Sequence, residues 1–101
     1  MVRAASVSDA NLADLAARLS PIARAFECVA TVRLIPERGV SAENWLIQLV
    51  VSRDRINAPR LNYWKAIRVA TYELRGPEIF EAFIRDEAGP KLQRADRVAR
   101  D

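Results

Sequence analysis

Histidine is absent from this chain of 101 residues, and Cys28 is its only cysteine. The absence of histidine removes the most common general base and zinc ligand. A lone cysteine forms no internal disulfide, and it excludes the usual Cys/His zinc sets and the Ser/His and Cys/His nucleophile pairs. We therefore expect no cofactor, no metal and no catalysis of these kinds. Cys28 lies in the apolar run CVATVRLI, which predicts a buried structural thiol.

Glycine and long apolar runs are also scarce. The chain has only Gly39, Gly76 and Gly89, and two of them precede proline, which excludes a glycine-rich phosphate loop. Apolar runs such as Trp45–Ile47 and Leu49–Val51 are far shorter than the roughly 20 residues that cross a bilayer. The first residues, MVRAASVSD, lack the apolar stretch of a secretory signal. We expect no membrane partner and a cytoplasmic location.

The composition is that of a folded domain, with 50% hydrophobic and 29% charged residues. At this length we predict one globular domain over residues 1–101. Residues 1–7 are expected to form a flexible N-terminus, and residues 90–101 a short charged tail helix.

Residues 8–26 show the spacing of an amphipathic helix. Ser8 or Asp9 is suited to cap its first turn. Pro21 predicts a bend or a division into two pieces, because proline removes one helical hydrogen bond. The apolar positions recur at intervals of three and four: Leu12, Leu15, Ala16, Leu19, Ile22, Ala23 and Phe26.

Two strands are predicted next, over Glu27–Ile35 and Trp45–Ser52, joined by the polar linker PERGVSAEN in an antiparallel hairpin. In the second strand, alternate residues from Trp45 to Val51 are apolar. The intervening residues include Leu46 and Val50, so we expect this strand to be covered on both faces.

The segment Leu61–Arg75 is ambiguous. Its apolar residues fit one side of a helix, while the alternating Ile67, Val69 and Thr71 suit a strand. We favour a helix, because Gly76–Pro77 supplies a terminal glycine and a proline that opens the next helix. The same glycine–proline pair recurs at Gly89–Pro90. The predicted class is α+β, in the order α-β-β-α-α, with α-β-β-β-α as the alternative.

A two-stranded sheet is rarely stable by itself, and its second strand would leave a free apolar edge. On the helical interpretation of Leu61–Arg75, we predict that this edge pairs with a second copy across a twofold axis. The expected assembly is a homodimer.

Positive charge is concentrated beside Tyr63 and Trp64, in an otherwise nearly balanced chain with a formal net charge of +3. Arginine suits phosphate and carboxylate recognition, and exposed tryptophan is a frequent anchor of interfaces. Trp64, at the margin of the apolar helical face, is a better contact residue than Tyr63. The candidate partner-binding residues are Arg53, Arg55, Arg60, Trp64, Lys65 and Arg68.

The chain has one dense group of carboxylates: Glu73, Glu78, Glu81, Asp86 and Glu87. They are better explained as helix surface than as a site, since Glu78 directly follows Pro77 in a predicted first helical turn. We therefore predict a non-enzymatic interaction module. It would be a small adaptor, regulator or inhibitor that docks on an acidic protein surface or a nucleoprotein complex through residues 53–68. The alternative is direct nucleic-acid binding by the same segment, with Lys91, Arg94, Arg97 and Arg100 adding charge.

Overall fold

The computed structural model describes residues 8–53 and 61–100, so the predicted flexible segment 1–7 lies outside the described residues. The fold is α+β, as predicted, with one antiparallel sheet in the order β1-β2-β3. Short 3₁₀ (Ala42–Asn44) and π-helical (Ile84–Ala88) segments accompany the main elements. These elements are α1 (Asp9–Arg24), β1 (Cys28–Ile35), β2 (Leu46–Arg53), β3 (Asn62–Arg68), α2 (Val69–Arg75), α3 (Glu78–Phe83) and α4 (Gly89–Arg100).

Helix α1 begins as the sequence predicts. The Ser8 hydroxyl accepts a hydrogen bond from the Asn11 backbone N–H at 3.2 Å, which satisfies one of the free donors of the first turn. Pro21 lies inside a single continuous helix, so the division into two pieces is not found. The predicted apolar stripe faces the core, and its buried members are Leu15, Leu19 and Ala23.

The β1–β2 hairpin is confirmed, with Val32 opposite Leu49 and Ile35 opposite Leu46. Its linker is held by the indole of Trp45, whose Nε1 donates to the Val40 carbonyl at 2.8 Å. The hydrogen bond satisfies the only polar atom of a half-buried ring.

The favoured helix over Leu61–Arg75 is wrong in its first half. Residues 62–68 form strand β3, which pairs antiparallel with β2, and only Val69–Arg75 is helical. The Val69 N–H donates to the Trp45 carbonyl at 2.9 Å, and the chain turns into α2 from there. The open edge of β2 explains the outcome, because a strand there satisfies backbone groups that a helix would leave unpaired. The predicted glycine terminator is confirmed, since Gly76 ends α2 with φ 75°.

Strand β2 is thus the central strand, and no edge of it remains for a second copy. The route to a homodimer that the sequence suggested is therefore excluded. The helices pack on one face of the sheet, where Ile47, Leu49 and Val51 are fully buried with Phe80, Ile84 and Leu92.

The opposite face of β2 is not covered in the described part of the chain, contrary to the prediction. Leu46 is 36% exposed and Val50 is half-buried. Strand β2 is apolar on both faces, and apolar content alone does not show which side a helix packs against.

Gly89–Pro90 does not end a helix, contrary to the prediction. α3, the π segment and α4 follow one another without a break. The Gly89 N–H donates to the carbonyl of Ile84, five residues earlier, and this wider turn brings the helix past a proline that has no N–H. A Cβ at Gly89 would lie 2.5 Å from Cγ of Phe26, so the glycine permits close packing of the two segments.

Candidate interaction surface

Alternate residues of the three strands form a face that we call the open face. The register places Trp64 beside Val50 and Thr31, and Ala66 beside Gln48 and Arg33. Side chains alternate along a strand, so these rows all point away from the helices. The open face consists of Val29, Thr31, Arg33, Ile35, Leu46, Gln48, Val50, Ser52, Asn62, Trp64, Ala66 and Arg68.

Trp64 is the most prominent side chain of the open face, and it is 62% exposed. Val29 at 37% and Leu46 at 36% extend the exposed apolar area. Val29 and Leu46 lie at opposite ends of the open face, with the half-buried Val50 between them and beside Trp64. Single exposed apolar side chains are ordinary on protein surfaces, and it is the shared sheet face that makes these residues a candidate contact surface.

The charges of the open face have one sign. Arg33 and Arg68 lie on it, and it carries no aspartate or glutamate. The Arg33 guanidinium donates from Nε to Oε1 of Gln48 at 2.7 Å, which positions it across the strands. The rest of the arginine fork is on an exposed side chain and can meet a carboxylate or a phosphate.

The described members of the predicted site lie on both faces of the sheet. Trp64 and Arg68 lie on the open face, whereas Lys65 points to the helix-covered side, where Nζ is 5.7 Å from the centroid of the Phe83 ring. Arg53 lies at the end of β2, opposite Cys28 on β1 and also on the covered side. Arg55 and Arg60 lie outside the described residues.

The C-terminal basic residues that the nucleic-acid alternative adds lie in α4. Lys91 is on the covered side, with Nζ 5.5 Å from the ring centroid of Tyr63. Arg94 is exposed, and the side chains of Arg97 and Arg100 are not among those described. Tyr63 is half-buried and Trp64 is exposed, as expected, but the cause is strand alternation and not the position on a helix.

Sequence reasoning missed Arg33 and the aliphatic members of the open face. Arg33 lies on β1, two strands away from the basic segment on β3, and its alternation with Val32 and Leu34 was the only local signal. Its nearness to Ala66 and Arg68 follows from strand register, which local sequence did not indicate.

Cys28 is buried, as predicted, with only 3% of its surface exposed. Burial raises the pKa of the thiol, and Sγ donates to the Phe26 carbonyl at 3.3 Å. A protonated thiol is a poor nucleophile, which agrees with a structural role.

The acidic residues of α3 also have a structural explanation. Oε2 of Glu81 lies 2.6 Å from Nε of Arg18, which joins α3 to α1 and raises the pKa of Arg18. Glu78 is exposed in the first turn of α3, where a carboxylate interacts favourably with the helix dipole. Among the described residues no group of three or more potential metal-ligating side chains is assembled.

Within residues 8–53 and 61–100, no helix is both long enough and apolar enough to span a bilayer. Comparison of the chain with protein-family models, curated proteins and solved structures gives no significant match.

Proposed function

We propose that this protein is a non-enzymatic interaction module, an adaptor, regulator or inhibitor that docks on the acidic surface of a partner protein through its open face. One observation carries the proposal: Trp64, 62% exposed, shares the open face with two arginines and with no carboxylate. Tryptophan and arginine are the side chains that most often dominate binding energy at interfaces.

The sign of the charge selects the kind of partner. Arg33 and Arg68 would be left unpaired by a neutral surface and repelled by a basic one, whereas carboxylates can accept their hydrogen bonds. An acidic surface, of a protein alone or within a nucleoprotein complex, is the complement.

The aliphatic residues favour a protein partner over nucleic acid. Val29, Leu46 and Val50 offer area that another apolar surface can cover. Platforms for single strands instead present aromatic rings to successive bases, and Trp64 is the only aromatic side chain of the open face.

Direct nucleic-acid binding is the second candidate, because the same Trp64 could stack on one base while Arg33 and Arg68 meet phosphates. Fluorescence anisotropy with labelled single-stranded oligonucleotides over a salt series separates the two candidates. Nucleic-acid binding predicts an affinity that falls with salt, with a slope near 0.7 per phosphate contact. Docking on a protein partner predicts that the oligonucleotides do not bind, even at low salt.

A display library of random short peptides, selected on the immobilised protein, tests the first candidate directly. We expect the selected peptides to be enriched in aspartate and glutamate. Trp64→Ala should weaken their binding about thirtyfold, the loss typical of a central anchor. Leu74→Ala, which removes a side chain 86% exposed on α2, is the matched apolar control and should leave binding unchanged.

Charge reversal completes the experiment. Arg33→Glu on the open face should abolish binding of the acidic peptides, and Arg38→Glu in the exposed β1–β2 linker should have little effect. Equal losses in the two variants would show a non-specific attraction and would contradict the proposal.

The homodimer stays a prediction, but its interface can no longer be the edge of β2. With β2 central, the free edges are those of β1 and β3 within the described sheet. Sedimentation velocity at several protein concentrations measures the association state. A cytoplasmic location is likewise proposed, and fractionation of the source cells tests it.

A further inference from the structure

The open face is small for a stable interface. Strands about 4.8 Å apart with a rise of about 3.4 Å per residue give it roughly 400 Å² in projection. A standard interface takes about 800 Å² from each partner. A partner that also contacts an edge of the sheet would bury more of this molecule than the open face alone offers.

Strand β3 offers such a continuation at its outer edge. No other described strand pairs with that edge. The hydrogen bond from the Val69 N–H to the Trp45 carbonyl continues the β2–β3 register, in which hydrogen-bonded and non-hydrogen-bonded pairs alternate. Lys65 and Ile67 thus direct their backbone groups toward β2, and Trp64 and Ala66 direct theirs outward.

A groove runs beside this edge, between β3 and the helices on the covered side. Its volume is about 440 Å³. Ile67, Ile79 and Phe83 supply apolar walls, and Lys65, Arg75 and Glu87 supply charged groups. A side chain of an added strand that points to the covered side would enter this groove, because side chains alternate across a sheet.

The charge of β3 indicates which strand can be added. Lys65 and Arg68 are its charged residues, and it has no carboxylate. A second copy pairing antiparallel at this edge would bring only further positive charges and no carboxylate to β3, whereas acidic residues would be favourable neighbours. Lys65 is moreover held over the Phe83 ring, at the wall of the groove.

We propose that the outer edge of β3 binds an extended acidic segment of the partner protein as a fourth strand. The backbone of the segment pairs with Trp64 and Ala66, an apolar side chain enters the groove at Ile79 and Phe83, and carboxylates on the other face of the added strand lie beside Arg68. This inference rests on the proposed function, an acidic protein partner, and adds the manner in which part of that partner is held.

The probe is a fluorescein-labelled peptide of alternating glutamate and valine, about nine residues long, within the usual length of a strand. We expect it to bind, and we expect a peptide with lysine in place of glutamate not to bind. N-methylation of alternate amides on one edge of the peptide should weaken binding at least about tenfold, because it removes several backbone hydrogen bonds. Equal affinity of the methylated and parent peptides would overturn the proposal.

Ala66→Pro tests the protein side. An outward N–H can be lost from an edge strand without loss of a sheet bond, so the variant should keep the circular dichroism of the native protein and lose the peptide. Leu74→Ala should retain it. If Ala66→Pro does not fold, the comparison of methylated and parent peptides, which leaves the protein unchanged, still decides the matter.

The outcomes separate the two proposals. If Trp64→Ala weakens the library-selected peptides while Ala66→Pro and N-methylation change nothing, the open face binds the partner and the fourth strand is wrong. If neither kind of peptide binds, the proposed function fails. A dimer of the native protein that Ala66→Pro converts to monomer would give the edge to a second copy and overturn the proposal. An oligonucleotide that competes with the peptide and binds more tightly would also overturn it.

Discussion

The two faces of the sheet use the same strands and similar side chains, yet they differ in how far they are covered. On the covered face Ile47, Leu49 and Val51 have no exposed surface. On the open face Leu46, one residue away from Ile47, is 36% exposed, and Trp64 is 62% exposed. The difference shows that the apolar content of β2 serves folding on one side and is available for contact on the other.

The largest expected effect compares one substitution on the two faces. Leu49→Ala should destabilise the protein by about 2–5 kcal/mol, because it removes a fully buried side chain and leaves a cavity. Leu46→Ala, matched in chemistry, should cost less than about 1 kcal/mol. Urea unfolding followed by circular dichroism measures both. Equal losses would mean that the open face is covered in solution.

Gly89→Ala tests how the helices are held on the covered face. The new Cβ would meet Cγ of Phe26 at 2.5 Å and the Ile84 carbonyl oxygen at 2.6 Å. Overpacking of this kind costs about 1–3 kcal/mol, even though alanine favours a helix. Gly39→Ala is the contrasting control, because a Cβ at Gly39 would contact no other atom. Only the positive φ of 81° disfavours alanine there. A Gly89→Ala variant as stable as the native protein would contradict the close packing described.

Cys28 gives a smaller, pH-dependent effect on the covered face. Burial raises the pKa of the thiol in the folded state, so the unfolded thiol loses its proton first as pH rises. Stability should therefore fall above about pH 8.5, the ordinary pKa of a cysteine, and Cys28→Ala should remove this part of the dependence. Urea unfolding at several pH values measures it. Rapid alkylation of the native protein at neutral pH would be inconsistent with the burial.

The two tryptophans report on the two faces, and only the exposed Trp64 should be replaceable with almost no change in stability. Trp45→Phe leaves the exposed Trp64, and Trp64→Phe leaves the half-buried, hydrogen-bonded Trp45. Acrylamide should quench Trp64 more strongly than Trp45. Trp64→Phe should change the unfolding free energy by less than about 0.5 kcal/mol, as expected for an exposed position. Stronger quenching of Trp45 would reverse the assignment of faces.

Local sequence was sufficient for the elements whose apolar spacing is regular and whose ends carry capping residues. α1, the β1–β2 hairpin and the glycine terminator at Gly76 belong to this group. Leu61–Arg75 was different, because its apolar residues fit both the repeat of a helix and the repeat of a strand. Its first half forms a strand because it pairs with the free edge of β2. The prediction that Gly89–Pro90 ends a helix was wrong. The π turn carries the helix past Pro90 where Gly89 packs against Phe26, and local sequence does not indicate that contact.

For the candidate surface, the sequence pointed to Trp64 and Arg68, which do lie together on the open face. It also grouped Lys65 and Arg53 with them, although strand alternation and register place both on the covered side. Arg33 could not be predicted as a neighbour, because its position depends on the register of β1 against β2.

By itself, the sequence determined the α+β class, the core stripe of α1, the hairpin and the absence of histidine chemistry, because each depends on composition or on short-range periodicity. Only the tertiary structure decided which face of the sheet is open, which arginines share it with Trp64, and that the outer edge of β3, which no other described strand pairs with, lies beside a groove. These features depend on pairing between residues distant in the chain, and the free energy of that pairing is set by the partner strand and the helices packed against it.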